Sequence, residues 1–328
     1  MEGRSLLMRI GMVLLPLALC LGLTGLGEAQ EKYPTREITL ISGTQAGTIN
    51  DLLQRVLFDE ASKILGQNII VVNKPGAAHG ITFVAVKNAK PDGYTIGYLP
   101  SAGVAPQLMR KVPYDMLKDF EYIIQCFDFQ QAMAVQTGAP WKTMQELVEY
   151  ALKNPGKVRM GVMGVGGSQH LAMERLQMKI GVKFIITPFG NAVDEVTGLL
   201  GGHIDAAFCD TTLQPHVDSG ELRLLAVGGA GDKRLARYSK LPTLMELYGI
   251  EVPTFSSFGG PKGLPPHVVD TLHKALKKAM ENPEFINIAD KANSPILYRG
   301  PEDTTKEVHE TFQEIGDIVK KLGLQRKE

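Results

Sequence analysis

The sequence predicts an α/β protein, and three observations carry that expectation. Short apolar runs alternate with amphipathic segments from Tyr33 onward. Glycine-containing turns separate them, which is the pattern of strand, turn and helix units around a largely parallel sheet. Roughly 300 residues follow Gln30, too many for one small core and suited to two domains of about 100 to 150 residues each.

The amino terminus comes first. Arg4 and Arg9 precede an apolar run from Met12 to Leu26, then the small-residue stretch Gly27, Glu28, Ala29. That is the order of a secretory signal over residues 1–29, cleaved after Ala29, which would place the mature chain in the periplasm. A retained anchor helix is the alternative, although the run is short for a membrane span. Cys20 offers a second alternative as a lipid attachment point, but Leu17, Ala18 and Leu19 match the required small-residue context only in part.

In chain order, strands are expected at Ile38 to Ile41, Ile69 to Val72, Tyr94 to Tyr98, Tyr122 to Gln125 and Ala132 to Val135. Others are expected at Val158 to Val162, Phe184 to Ile186, Ala206 to Phe208 and Leu222 to Val227. The first helix is marked by apolar residues recurring at three and four, namely Leu52, Leu53, Val56, Leu57, Ala61, Ile64 and Leu65. Thr143 and Glu146 read as a capping box opening a second helix, with Trp141 just before it as a staple. A third follows Ser168 and stops at Gly181; Asn191 caps a fourth that Gly201 and Gly202 end. Pro265 and Pro266 start a long helix to Met280, and the last spans Glu302 to Lys321.

Charge and cysteine content exclude several functions. Lysine plus arginine equals aspartate plus glutamate at 35 each, so no bulk field draws nucleic acid or an anionic membrane. Apart from Cys20, Cys126 and Cys209 each sit in an apolar run, and either a disulfide or two separate buried thiols fits them. The seven histidines are scattered with no Cys/His spacing for zinc, and nothing calls for a metal or cofactor.

One device occurs twice. ITLISGTQAGTINDLLQRV and VRMGVMGVGGSQHLAMERL each run from a strand through a glycine loop into an amphipathic helix. Such a turn presents the free amides of a helix start, which with the helix dipole form an anion site. Two tight turns with caps is the plainer reading of Ser42 to Asn50 and Gly164 to Ser168. The enzyme motifs are missing: the last glycine of G-x-G-x-x-G is replaced by Gln169, and neither a Walker sequence nor G-x-S-x-G is present. Ser168 and His170 would make a nucleophile and base, but two residues apart at a helix start they point in different directions. Asp51 and Arg55 stand four apart at a helix start and are expected to brace the loop, as His170 is expected to brace the second.

The order of motifs resembles the periplasmic solute-binding proteins of tripartite tricarboxylate transporters, the Bug family. The similarity runs from Tyr33 and Pro34 through Gly47, Asp51 and Arg55, VVNKPGAA (Val71 to Ala78), PDGYT (Pro91 to Thr95) and Pro113 to Asp115. It continues through NPGKV (Asn154 to Val158), the G-x-G loop with His170, Leu171 and Ala172, LLGGHIDAAF (Leu199 to Phe208), LPTLMELYG (Leu241 to Gly249), and Pro261, Gly263 and Pro265. The resemblance implies a two-lobed type II periplasmic-binding fold, each lobe a mixed, mainly parallel sheet flanked by helices. Lobe 1 would be residues 31–129 plus 251–328, and lobe 2 residues 130–250. It implies a monomeric, non-catalytic receptor that closes on a small carboxylate, a di- or tricarboxylate or an aromatic acid, and delivers it to integral membrane transporter subunits. A sensor presenting the same ligand to a signalling receptor is the alternative, and a hydrolase using Ser168 is a third. By position, the ligand groups would be Thr44, Gln45, Ala46, Gly47 and Thr48, then Gly164, Gly166, Gly167 and Ser168, with Phe189 and Asp210 lining the cleft. The chain departs from the family pattern where Thr44 stands for an aromatic residue, Thr48 for a glycine, His79 for a glycine and Gly167 for a hydroxyl.

Overall fold

The computed structural model describes residues 32–229, 234–252 and 254–326; the expected signal segment and Cys20 lie outside the described residues. The residues from Arg36 onward form one compact unit.

Its first stretch alternates β1 (Ile38–Ser42), α1 (Ile49–Leu65), β2 (Ile69–Asn73), α2 (Gly80–Lys87), β3 (Thr95–Pro100), α3 (Val104–Met109) and β4 (Phe120–Phe127). The second runs β5 (Gln131–Gln136), α4 (Met144–Lys153), β6 (Arg159–Met163), α5 (Ser168–Ile180), β7 (Ile185–Phe189), α6 (Ala192–Leu200), β8 (Ala206–Cys209), α7 (Gln214–Asp218), β9 (Leu222–Gly228) and α8 (Leu244–Tyr248). The third holds β10 (Ser256–Pro261), α9 (Pro266–Ala279), α10 (Pro283–Lys291), β11 (Ile296–Arg299) and α11 (Pro301–Lys321).

Two sheets result. One has the order β11-β4-β10-β3-β1-β2 and the other β7-β6-β8-β5-β9. Each is mixed, as expected, but parallel pairing does not dominate: it is confined to β2-β1-β3 and β7-β6-β8. Every other pairing of these strands is antiparallel. The cause is the chain path. β4 leads directly into β5 of the other sheet, and β10 returns to lie between β3 and β4, so both sheets take on strands that come from across the molecule.

Local chemistry explains the helix ends. The Thr48 side chain accepts the amide of Asp51 to cap α1, and Gly66 closes it in the left-handed region at φ 67°. Gly181 does the same for α5 at φ 78°. At α4 Thr143 accepts the Glu146 amide, but Glu146 bonds the amide of Lys142 instead of Thr143, so the expected reciprocal box is only half formed. A complete one stands at Thr243 and Glu246.

The first sheet buries Phe83, Leu99, Phe120 and Phe255 against Ile315, Ile318 and Val319 of α11. The second buries Met133, Met160 and Phe208 against Leu147 and Leu176, with Trp141 packed at the edge over Tyr150. Helix α5 makes part of the contact between the two halves, and Arg237, which bonds Asp290, makes another. Leu171 joins the first core, and Arg175 forks onto Glu314 at 3.1 and 3.3 Å while also donating to the Glu251 carbonyl. At the crossing between the sheets, the Asp128 amide donates to the Pro295 carbonyl and the Gln130 amide to that of Asn293. Cys126 and Cys209 are free and buried in separate sheets.

Candidate functional site

Between the halves lies a cavity of about 600 Å³, walled mostly by apolar side chains and reached by both glycine loops. The loops contribute unequally.

In the first, Thr44 is buried and lines the cavity, as do Ile49 and Asn50 at the start of α1. Gln45, Ala46, Gly47 and Thr48 are exposed and do not line it. The loop is bonded to itself: Thr48 Oγ1 donates to the Gln45 carbonyl, and the Gly47 amide donates to Asp51 Oδ2 at 2.9 Å. Asp51 is the centre of this arrangement. Its Oδ2 also takes Arg55 Nε at 2.9 Å and its Oδ1 takes Asn73 Nδ2 at 2.7 Å, while Arg55 Nη2 donates to Asn73 Oδ1 at 2.7 Å. Burial alone would raise the Asp51 carboxyl, but the hydrogen bonds from Arg55, Asn73 and Gly47 and the Arg55 charge hold it below the usual carboxylate range. Positive charge at the start of α1 is therefore answered from within the protein.

The second loop is different. Gly164, Gly166, Gly167 and Ser168 all line the cavity. Gly164 and Gly166 take φ of 69° and 78°, a region open to glycine, which lets the backbone turn into α5 beside the cavity. Gly167 is the N-cap of α5 and brings no side-chain bond, and no acidic residue stands in the first turn. Ser168 Oγ accepts Gln131 Nε2 at 3.1 Å, which leaves the hydroxyl proton to donate elsewhere. Gln169 Oε1 takes the Met163 amide, while Gln169 Nε2 and Gln131 Oε1 are buried without a protein partner. Gln131 and Gln169 both line the cavity. Polar groups of both signs thus converge on an uncapped helix start.

His170 braces this loop, accepting the Gly166 amide at Nδ1 (2.9 Å) with Nε2 3.5 Å from Glu174. The ring is therefore turned to Gly166 and Glu174, and Ser168 hydrogen-bonds Gln131 instead, so the pair has no nucleophile-and-base geometry. Asp210 lines the cavity and accepts the Thr212 amide and hydroxyl at Oδ1. Phe189 does not line it; it packs over Gly198 beside the core of the second sheet.

Several lining residues escape sequence reasoning: His79, Tyr98, Arg110, Gln131, Gln169 and Thr254. His79 had a signal, since it departs from a family glycine, and it takes a glycine-like φ of 66°. Burial pushes its imidazole down to about 4, so it is neutral at neutral pH. Arg110 follows α3 and, apart from that histidine, is the one basic side chain on the wall among the described residues. Among the described residues no cluster of His, Cys, Asp and Glu is arranged to hold a metal ion.

Comparison with known proteins agrees with this geometry. Residues 53–324 match the family model described as the tripartite tricarboxylate transporter family receptor. A Cupriavidus necator protein named for the gbd 5′ region is 37% identical over 99% of both chains. Among solved structures, a TctC solute-binding protein from Polaromonas is 31% identical with a TM-score of 0.79, covering 88% of this chain and 99% of its own. The periplasmic binding protein BugD is 29% identical with a TM-score of 0.69, covering 90% of this chain and 100% of its own. A cleft between two sheets, a family model spanning most of the sequence and relatives aligned nearly end to end converge on one assignment: the chain belongs to the tripartite tricarboxylate transporter receptors, the Bug family of solute-binding proteins.

Proposed function

We propose that this chain is an extracytoplasmic receptor that captures a small carboxylate between its lobes and hands it to a tripartite membrane transporter. Its family is one of solute-binding proteins and not of enzymes. The observation that carries the ligand class is the uncapped start of α5, where Ser168, Gln169 and Gln131 offer hydrogen bonds inside the cavity. A carboxylate there would accept backbone and side-chain donors and gain from the helix dipole. Lobe 1 would comprise residues 31–129 and 251–328, and lobe 2 residues 130–250. Contacts made to both lobes at once would favour the closed form, since only a difference in affinity between states shifts their populations. Export to the periplasm rests on the family and on the signal pattern of residues 1–29; among the described residues no helix is long and apolar enough to cross a membrane.

Gly167→Ala tests the seat. A Cβ there would stand 2.7 Å from the Met163 carbonyl oxygen, so the start of α5 must shift. Isothermal titration with a C3 to C7 carboxylate panel, citrate and aromatic acids should find a ligand for the wild-type chain. The variant is expected to bind that ligand at least about tenfold more weakly with its circular dichroism unchanged, as befits misplaced donors. A panel with no binder, or full affinity in the variant, would count against the proposal.

A further inference from the structure

We infer, on the basis of the carboxylate reading above, that the cleft is matched to a ligand bearing a single carboxylate on an apolar body, with Arg110 and Asp210 setting that charge count.

Arg110 lines the same cavity as the loop that feeds α5. Its neighbour Met109 touches that loop: the Met109 sulfur lies 2.8 Å from where a Cβ on Gly166 would stand. Arg110 lines the cavity, and no ion pair engages it among the described residues. The fixed charge facing the ligand can then be counted. Arg110 and the uncapped α5 terminus together supply about +1.5, since a helix start is worth roughly half a charge. The start of α1 adds little, because Asp51 and its partners already answer it. Asp210 contributes a carboxylate on the same wall, and His79 adds no charge at neutral pH. The sum is about +0.5, which one carboxylate overshoots by about half a charge and two would overshoot by about 1.5.

A second carboxylate would find no such partner. Much of the remaining wall is apolar, including Ile49, Phe129, Leu171 and Phe255; its other polar groups, such as Asn50, Ser101 and Ser256, carry no positive charge, and the charged alternative is to approach Asp210. Either placement strips water from an anion without replacing it, which is costly. The apolar wall in turn favours a hydrocarbon or aromatic body over the hydroxyl-rich backbone of a tricarboxylate.

Hexanoate and adipate make a matched test, since they share six carbons and differ by one carboxylate. Titration of the wild-type protein at neutral pH is expected to give hexanoate at least about tenfold the affinity of adipate, and benzoate a similar lead over citrate. Asp210→Asn keeps an oxygen for the Thr212 amide while removing the charge, and should cut the hexanoate-to-adipate ratio at least about threefold. Arg110→Gln should weaken both acids. Adipate, citrate or glutamate binding as tightly as hexanoate would overturn the inference, as would an Asp210→Asn variant with an unchanged ratio. If no carboxylate of any charge binds, it is the carboxylate reading itself that falls, a result distinct from a reversed preference.

Discussion

Glu195→Gln is expected to stabilise the protein at neutral pH by about 3 kcal/mol, raising its melting midpoint by roughly 6 to 12 °C. Glu195 lies on α6 and is fully buried, and neither carboxylate oxygen has a conventional hydrogen-bond partner. Gly161 makes the room for it, since a Cβ there would lie 3.2 Å from Glu195 Cγ. Burial pushes the carboxyl up to about 8; the neighbouring Cys209 thiol offsets part of this, and the Asp210 charge adds to it. The folded protein therefore holds a proton that the unfolded chain, near the ordinary glutamate value of 4.5, has lost at pH 7. Stability from this group is complete below the unfolded value and falls as pH rises toward about 8, after which it is level. Glutamine removes the cost of holding that proton. Urea denaturation at pH 5, 7 and 8.5 should show a variant advantage that grows from about 1 kcal/mol or less at pH 5 to about 5 kcal/mol at pH 8.5. An advantage that does not change with pH would rule this account out.

Asp51→Ala is expected to cost about 3 kcal/mol, the low end for breaking a buried ion pair because the Arg55 side chain is 38% exposed. The loss has several parts. The Gly47 amide loses its acceptor, Asn73 Nδ2 loses one of its two, and Arg55 keeps its charge without a carboxylate. Because the Asp51 carboxyl is held low, its contribution is present above the ordinary aspartate range and is lost as pH falls through the lowered folded value. The wild-type and variant stabilities should therefore converge in acid. Asp51→Ala with Arg55→Ala should be less destabilised than the sum of the two single changes, and strict additivity in that cycle would show that the pair is not coupled.

Asp51 also shows how far the sequence could be read. Its pairing with Arg55 follows from spacing on a helix, and the structure makes that bond. Asn73, which completes the ring of bonds, sits at the end of β2 and becomes a neighbour only once β1 and β2 are paired in register with Ser42 opposite Asn73. The same limit applies to the cavity. The glycine loops are visible because loop and helix are contiguous in sequence, whereas Gln131, Arg110 and Thr254 reach the cavity from the start of β5, the end of α3 and the stretch before β10. Nor does sequence distinguish the two helix starts. Both read alike as strand, glycine loop and helix, and only the bonds of Thr48 and Asp51 show that one is satisfied from within.

Among elements, the strands with alternating or continuous apolar residues were legible, while β10 was not. SSFGGP reads as a turn, yet all six residues are buried. Its glycines are what permit its position: a Cβ on Gly259 would meet the Glu121 carbonyl oxygen at 2.6 Å. Helix α2 is not legible in the sequence because GITFVAVK is apolar nearly throughout and lacks the two-sided pattern of an amphipathic helix. Helix α10, by contrast, carries ordinary signals in its Asn282 cap and Pro283, but lies in the stretch between the longer helices α9 and α11.

The place of β10 also governs the order in which the chain can acquire its structure during synthesis. β4 has only β10 and β11 as sheet neighbours, and both are encoded more than a hundred residues later. Until they emerge, the almost wholly buried strand FEYIIQCF has no backbone partner on either side, while β5 to β9 already possess every strand of their own sheet. An apolar strand with two open edges is prone to pair with other chains. A growing polypeptide would therefore depend on chaperones longest at residues 120–127, with the first sheet the last to close.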